Sequence, residues 1–265
     1  MNLENTNKSK LEKMPSFIVS GDRTFFTEQG EGKTMGEPAV FFRLHHCNLD
    51  CSWCDTPYTW NKNLPEYHTE KEKWNLDEAS SVIIDTWKKG LDVKNSETSD
   101  NEEKRSIEPR LVITGGEPML QQKQIAKLLK RPEFLNWQIE IETNGTIVPI
   151  KELLDRVQFN CSPKLENSDV PKEKRIKTDA LDTLKTGNTY FKFVVKNEAD
   201  IDEIIRDYIP ILNDFPRDRI YISPEGRDAV TLDVVRELVI KRVEKEGFTL
   251  GDRLQIKKYG DKRRT

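Results

Sequence analysis

Short runs of β-branched and aromatic residues recur along the chain, separated by stretches whose apolar positions repeat every three or four residues. The run Pro38 to Leu44 reads as a strand, and others follow at Leu111 to Thr114, Gln138 to Glu142, Val157 to Cys161, Tyr190 to Val195 and Ile220 to Ile222. Asn75 with Glu78 forms a capping box for a helix whose apolar face is Ala79, Val82, Ile83 and Trp87. Further helices are expected at Leu120 to Lys130, Ile150 to Asp155, Ala199 to Leu212 and Leu232 to Glu246, the last stopping at Gly247. Strands separated by helices pair in parallel through right-handed crossovers. Six strands are too few for an eight-fold barrel and fit a partial one, with ligands gathered at the carboxyl ends of the strands.

Two stretches break the pattern. Residues 1–14 and roughly 92–109 are polar, charged and without period, which predicts a disordered or extended tail and a charged loop insertion. The remainder, 15–265, is long enough to bury a sizeable core and is expected to form one domain. Basic and acidic residues nearly balance, 43 against 46, which argues against a protein built to neutralise phosphates and so against direct nucleic-acid binding. No apolar run approaches the length needed to span a membrane, so a soluble cytoplasmic protein is expected.

Chemistry concentrates at Cys47-x-x-x-Cys51-x-x-Cys54. Three thiolates can hold a cubane cluster and leave its fourth iron open to a small molecule, whereas electron-transfer clusters usually take four cysteines. Zinc bound with His45 or His46 as a fourth ligand is the competing reading, although zinc ribbons build from two separated pairs. Here the fourth cysteine, Cys161, is over a hundred residues away. A disulfide fits less well, because nothing at the start of the chain resembles a secretory segment.

Polar motifs mark three consecutive strand ends. Thr114-Gly115-Gly116-Glu117-Pro118 follows one strand, Glu142-Thr143-Asn144-Gly145 the next, and Ser162-Pro163-Lys164 the one after. The first also reads as an ordinary tight turn with proline opening a helix. Buried carboxylates and amides are costly unless paired, so their recurrence favours a polar ligand. Near the amino terminus, Phe25-Phe26-Thr27-Glu28-Gln29-Gly30-Glu31-Gly32 reads on its own as a glycine-rich surface turn.

Taken together, the Gln-Gly-Glu-Gly stretch, the cysteine loop running on through Asp55 to Thr56, and the three strand-end motifs closely resemble the 7-carboxy-7-deazaguanine synthase family of radical S-adenosylmethionine enzymes. The resemblance is strong from about residue 15 to residue 164. It implies a partial (βα)6 barrel of radical S-adenosylmethionine type with N- and C-terminal extensions. It also implies conversion of 6-carboxy-5,6,7,8-tetrahydropterin to 7-carboxy-7-deazaguanine with loss of ammonia, using a 4Fe-4S cluster, S-adenosylmethionine and Mg2+. A homodimer and a flavodoxin- or ferredoxin-type electron donor come with it. By matching positions, Cys47, Cys51 and Cys54 would hold the cluster and Thr56 the magnesium ion. Glu28, Gln29, Gly30, Glu31, Thr114 and Thr265 would contact the pterin, and Arg43 would clamp its carboxylate, although an inter-strand salt bridge is Arg43's plain alternative. Trp53, Gly115, Gly116, Glu117, Glu142, Asn144, Ser162, Pro163, Lys164 and the turn Ser223-Pro224-Glu225-Gly226 would hold S-adenosylmethionine.

The chain departs from the family near its end. The Gln-x-His-Lys segment is here Gln255-Ile256-Lys257-Lys258 without its histidine, and a turn that often begins with glutamine begins with Ser223. Two alternatives stand beside the synthase: a glycyl-radical activase-like enzyme acting on a partner protein, which Gln29 and Arg43 argue against, and a non-enzymatic Cys-rich metal module.

Overall fold

A computed structural model describes residues 15–97, 107–260 and 262. The expected N-terminal tail and residues 98–106 of the expected insertion lie outside the described residues. The chain opens with β1 (Ser16–Glu28), β2 (Pro38–Leu44), α1 (Pro65–Thr69), β3 (Glu72–Asn75) and α2 (Leu76–Glu97). There follow β4 (Arg110–Gly115), α3 (Gln122–Leu129), β5 (Gln138–Thr143), α4 (Lys151–Leu154), β6 (Gln158–Cys161), α5 (Lys172–Arg175) and α6 (Thr178–Leu184). It closes with β7 (Asn188–Val195), α7 (Glu198–Glu203), β8 (Ile220–Pro224), α8 (Ala229–Glu246), β9 (Thr249–Leu250) and α9 (Leu254–Tyr259).

All nine strands form one sheet in the order β3-β1-β2-β4-β5-β6-β7-β8-β9. From β2 to β8 each neighbour is parallel, as the alternation of strands and helices demands. The antiparallel strands β1 and β3 extend one edge, and β9 pairs in parallel with β8 at the other. Sequence periodicity did not mark β1, β3 or β9. In β1, apolar and polar residues mix without clean alternation, and β3 and β9 are too short to show a period.

Helix boundaries shift for local reasons. Asn75 Oδ1 accepts the Glu78 N–H at 2.9 Å, capping α2 as its sequence foretold. That helix continues to Glu97, so the first part of the segment expected as a loop insertion is helical. The helix expected over Leu120 to Lys130 starts as a 3-10 turn at Pro118–Gln121, and the one expected over Ala199 to Leu212 gives way after Glu203 to a π-helical turn, Ile204–Tyr208. Asp228 caps α8, and Gly247 ends it at φ +73°, where a residue with a Cβ is disfavoured.

Strand alternation sorts the sheet into two unlike faces. Val40, Phe42, Leu44, Leu111, Ile113, Ile139, Ile141, Phe159, Phe191, Phe193, Ile220 and Ile222 belong to one buried apolar cluster shared with the helices. The intervening residues on the opposite face are largely polar: Arg43, Thr114, Glu140, Glu142, Asn160, Tyr190, Lys192 and Tyr221. A sheet face this rich in hydrogen-bonding groups, with Thr114 and Glu140 buried and the others half-buried, is expensive unless it serves a polar ligand.

Candidate active site

That polar face forms the wall of a cavity of about 540 Å³. Parallel register sets its side chains in a row. Arg43 pairs with Thr114 across β2 and β4, Glu142 with Asn160 across β5 and β6, Asn160 with Tyr190, and Lys192 with Tyr221. Thr114 Oγ1 donates to Glu142 at 2.8 Å, and Gln29 Nε2 bridges to Glu142 at 3.3 Å and to Glu140 at 3.4 Å. Beneath them Glu140 is held by Arg110 at 2.5 Å and by Asn160 at 2.7 Å.

The cysteine loop faces the same cavity. Cys47, Cys51 and Cys54 are free thiols on its wall, gathered around Leu49 and Val170. Burial pushes the Cys47 thiol up to about 12 and raises Cys51 as well, as expected for thiols in a poorly solvated nook. Both neighbouring histidines are held through Nδ1: His45 Nδ1 pairs with Ser20 Oγ at 3.3 Å, and His46 Nδ1 with the Tyr67 hydroxyl at 3.2 Å. The three thiols share the wall of one polar cavity, although among the described residues no three His, Cys, Asp or Glu side chains are grouped closely enough to hold a metal ion.

The Thr-Gly-Gly-Glu-Pro motif is packed against the cysteine loop. A Cβ on Gly115 would lie 2.2 Å from the Leu44 carbonyl oxygen, and one on Gly116 would lie 2.2 Å from the His46 carbonyl oxygen and 2.9 Å from the Cys47 Cβ. The glycines therefore let β4 press against the root of the cysteine loop. Two backbone bonds seal the contact, Gly116 N–H to Leu44 at 3.1 Å and Glu117 N–H to His46 at 2.7 Å. Glu117 is fully buried behind the cavity wall and accepts from Thr143 Oγ1 at 2.8 Å, the Asn144 N–H at 2.7 Å and the Met119 N–H at 2.9 Å. Burial raises its pKa against those bonds.

Of the residues singled out in the sequence, Glu28, Gln29, Gly30, Glu31, Arg43, Trp53, Thr56, Thr114, Gly115, Gly116, Glu142, Asn144, Ser162 and Lys164 line the cavity together with the three cysteines. Lys164 Nζ sits over the Trp53 ring, 5.2 Å from its centroid, and donates to Ser162 Oγ at 3.2 Å. Thr56 makes no capping bond; its hydroxyl lies 3.6 Å from Cys54 Sγ. Glu117, Pro163, Ser223, Pro224, Glu225 and Gly226 do not line the cavity. Ser223 is buried against Gly251, and Gly226 acts through its carbonyl, which accepts from Arg253 Nη1 at 2.9 Å. Thr265 lies outside the described residues.

Sequence reasoning passed over the groups that surround Glu31. Lys192 pairs with its carboxylate, Arg253 Nε donates to it at 3.0 Å and Gln255 Nε2 at 2.8 Å. Burial would raise the pKa of Glu31, but Lys192 and Arg253 outweigh it and hold the carboxyl well below its usual range. The carboxylate is thus a fixed anion that draws two cations to the mouth of the cavity. Lys192 was legible in principle as a charge at an alternate position of an otherwise apolar strand. Gln255 belongs to the family segment noted in the sequence, but nothing local ties it or Arg253 to Glu31, since α9 reaches Glu31 only through tertiary packing.

The profile of the 4Fe-4S single cluster domain matches residues 29–184. The 7-carboxy-7-deazaguanine synthase of Hyperthermus butylicus is 35% identical over 81% of this chain and 80% of its own length. The chain belongs to the 7-carboxy-7-deazaguanine synthase family. The synthase of Pyrobaculum aerophilum is 28% identical over 90% of this chain and 94% of the relative. The crystal structure of QueE from Escherichia coli superposes with a TM-score of 0.63 at 23% identity, covering 90% of this chain and 94% of that one, and so shares the mixed α/β fold. Within this family the protein is a radical S-adenosylmethionine enzyme that uses an iron-sulfur cluster and S-adenosylmethionine.

Proposed function

We propose that the protein converts 6-carboxy-5,6,7,8-tetrahydropterin to 7-carboxy-7-deazaguanine with loss of ammonia, in the biosynthesis of 7-deazapurines such as queuosine. The observation that carries the reading is the meeting of the three-cysteine loop with the buried polar sheet face in one cavity. The succession of six parallel strands from β2 to β8 supports a partial (βα)6 barrel with extensions at both ends. When bound, the cluster and S-adenosylmethionine supply a reductively generated carbon radical that removes a hydrogen from the substrate.

The chain's own residues bind, orient and exclude water. Arg43, with its guanidinium 5.6 Å from the Phe25 ring centroid, offers a planar fork suited to the substrate carboxylate. Gln29 and Glu142 present a mixed set of donors and acceptors to the pterin edge, whose amide and amine pattern calls for both. Lys164, Ser162 and Trp53 form a polar and aromatic ledge beside the thiols for the cosubstrate. Thr56 places a hydroxyl next to Cys54 without spending it on a cap, which leaves that oxygen for magnesium, with substrate oxygens completing the shell. A homodimer and a flavodoxin- or ferredoxin-type electron donor complete the proposal.

Anaerobic reconstitution followed by dithionite, S-adenosylmethionine and the carboxypterin tests it. The deazaguanine product and ammonia should form in equal amounts. Cosubstrate cleavage that persists without any product from the carboxypterin would overturn the substrate assignment.

A further inference from the structure

The segment from Lys164 to Val170, after β6, lies against the cysteine loop along its whole length. Ser52 N–H donates to the Ser168 carbonyl at 3.0 Å, Trp53 Nε1 to the Asn167 carbonyl at 3.0 Å, and Val170 packs on Leu49 and Cys51. The same segment is gripped from behind by a buried ion pair. Arg175 and Glu203 meet at 2.6 Å, each side chain only 4% exposed. Arg175 Nε donates to the Val170 carbonyl at 3.1 Å and its Nη1 to the Lys164 carbonyl at 3.4 Å, while Glu203 accepts the Glu166 N–H at 2.9 Å. Tyr208, on the π-helical turn, donates its hydroxyl to the same Lys164 carbonyl.

A fully desolvated ion pair is a poor source of stability, because withdrawing both charges from water cancels most of their attraction. Its partners indicate another use. Apart from the pair and the bond from Arg175 Nη1 to the Tyr208 hydroxyl, their hydrogen bonds go to backbone groups at the two ends and the middle of one segment. We propose that Arg175, Glu203 and Tyr208 are positioning residues, which act through the 164–170 segment to fix the cysteine loop in the arrangement that receives its cluster. This rests on the cluster-binding reading of that loop. The insertion of a π turn directly after Glu203 has a matching explanation, since π turns mark places where a helix gives up regularity to aim a side chain.

The double variant Arg175→Met/Glu203→Leu separates positioning from stability. Replacing a buried pair with apolar side chains of similar volume is close to neutral for the pair itself, so the change falls on the Glu166 N–H and the Val170 and Lys164 carbonyls that it releases. Hydrogen exchange of the full chain without iron should therefore accelerate about tenfold in peptides spanning residues 47–56, with the β4 to β7 core unaffected. After anaerobic reconstitution, iron release to a chelator should accelerate to a similar extent. Tyr208→Phe keeps the packing and removes two hydrogen bonds, one to the Lys164 carbonyl and one from Arg175 Nη1, and it should show the same pattern at several-fold. Wild-type exchange across 47–56 in both variants would overturn the proposal, and should the double variant fail to fold, Tyr208→Phe decides by the same criterion. Failure of the wild-type protein to take up iron would sink the cluster reading and leave the exchange result to judge the brace.

Discussion

At the scale of single residues, the site depends on side chains that are missing as much as on those present. Gly116 has its prospective Cβ 2.2 Å from the His46 carbonyl oxygen, a backbone atom with no easy route of escape. Gly116→Ala should therefore push the cysteine loop away from β4, costing about 1 to 3 kcal/mol by overpacking and lowering iron uptake on reconstitution. An alanine variant with normal stability and full iron content would show that the contact relaxes freely. Glu31 presents the opposite case, an anion serving two cations and an amide. Glu31→Gln leaves Lys192 and Arg253 facing each other in a poorly solvated place, which should cost roughly 3 kcal/mol in urea denaturation. A loss below about 1 kcal/mol would mean that water reaches the pair and replaces the carboxylate.

Helical elements are joined to one another by polar clips at their ends. The best defined is Glu133, which accepts from Ser80 Oγ on α2 at 2.7 Å and from Arg131 Nε at 2.8 Å, while Arg131 also reaches Asp77 on α2 at 2.7 Å. Ser80 and Arg131 hold the Glu133 carboxyl down to about 2 from an ordinary 4.5. Because the folded value lies below the unfolded one, the clip contributes fully above pH 4.5 and its contribution is lost as pH falls toward 2. The group is partly exposed, so solvent screening limits the effect to about 1 kcal/mol. Glu133→Gln should show that deficit in denaturant melts at neutral pH, and the gap to wild type should close as the pH is lowered below about 4.5. A deficit that stays constant with pH would assign it to lost packing instead of lost charge.

For the molecule as a whole, two segments far apart along the chain meet at the active site. Glu31 lies 222 residues before Arg253, and Leu254 N–H donates to the Gly30 carbonyl at 2.9 Å. Helix α9 therefore closes the cavity mouth without contributing to the sheet. Truncation after Gly251 should leave the sheet folded and iron uptake close to wild type, since the cysteine loop is held from the 162–170 side. Affinity for the carboxypterin should fall at least about tenfold, which is about 1.4 kcal/mol. Calorimetric binding with the truncated chain checks this, and undiminished affinity would remove α9 from the substrate site. Among the described residues no helix is long and apolar enough to cross a membrane.

What the sequence determined by itself was local: the cysteine spacing, the alternation in Gln138-Ile-Glu-Ile-Glu-Thr143, the helix caps at Asn75 and Gly247, and six strands in parallel order. Each of these is written within a few residues, because periodicity and capping act over one turn or one pleat. Tertiary structure decided the rest. Only packing shows that Gly115 and Gly116 accommodate the chain's own backbone, that Glu117 is sealed behind the wall, and that the Ser223 to Gly226 turn works through Arg253. The same holds for Lys192, Arg253 and Gln255 around Glu31, and for Arg175 and Glu203 under the cysteine loop. Burial and long-range pairing set the charge state and reach of these groups, and neither is encoded by neighbours along the chain.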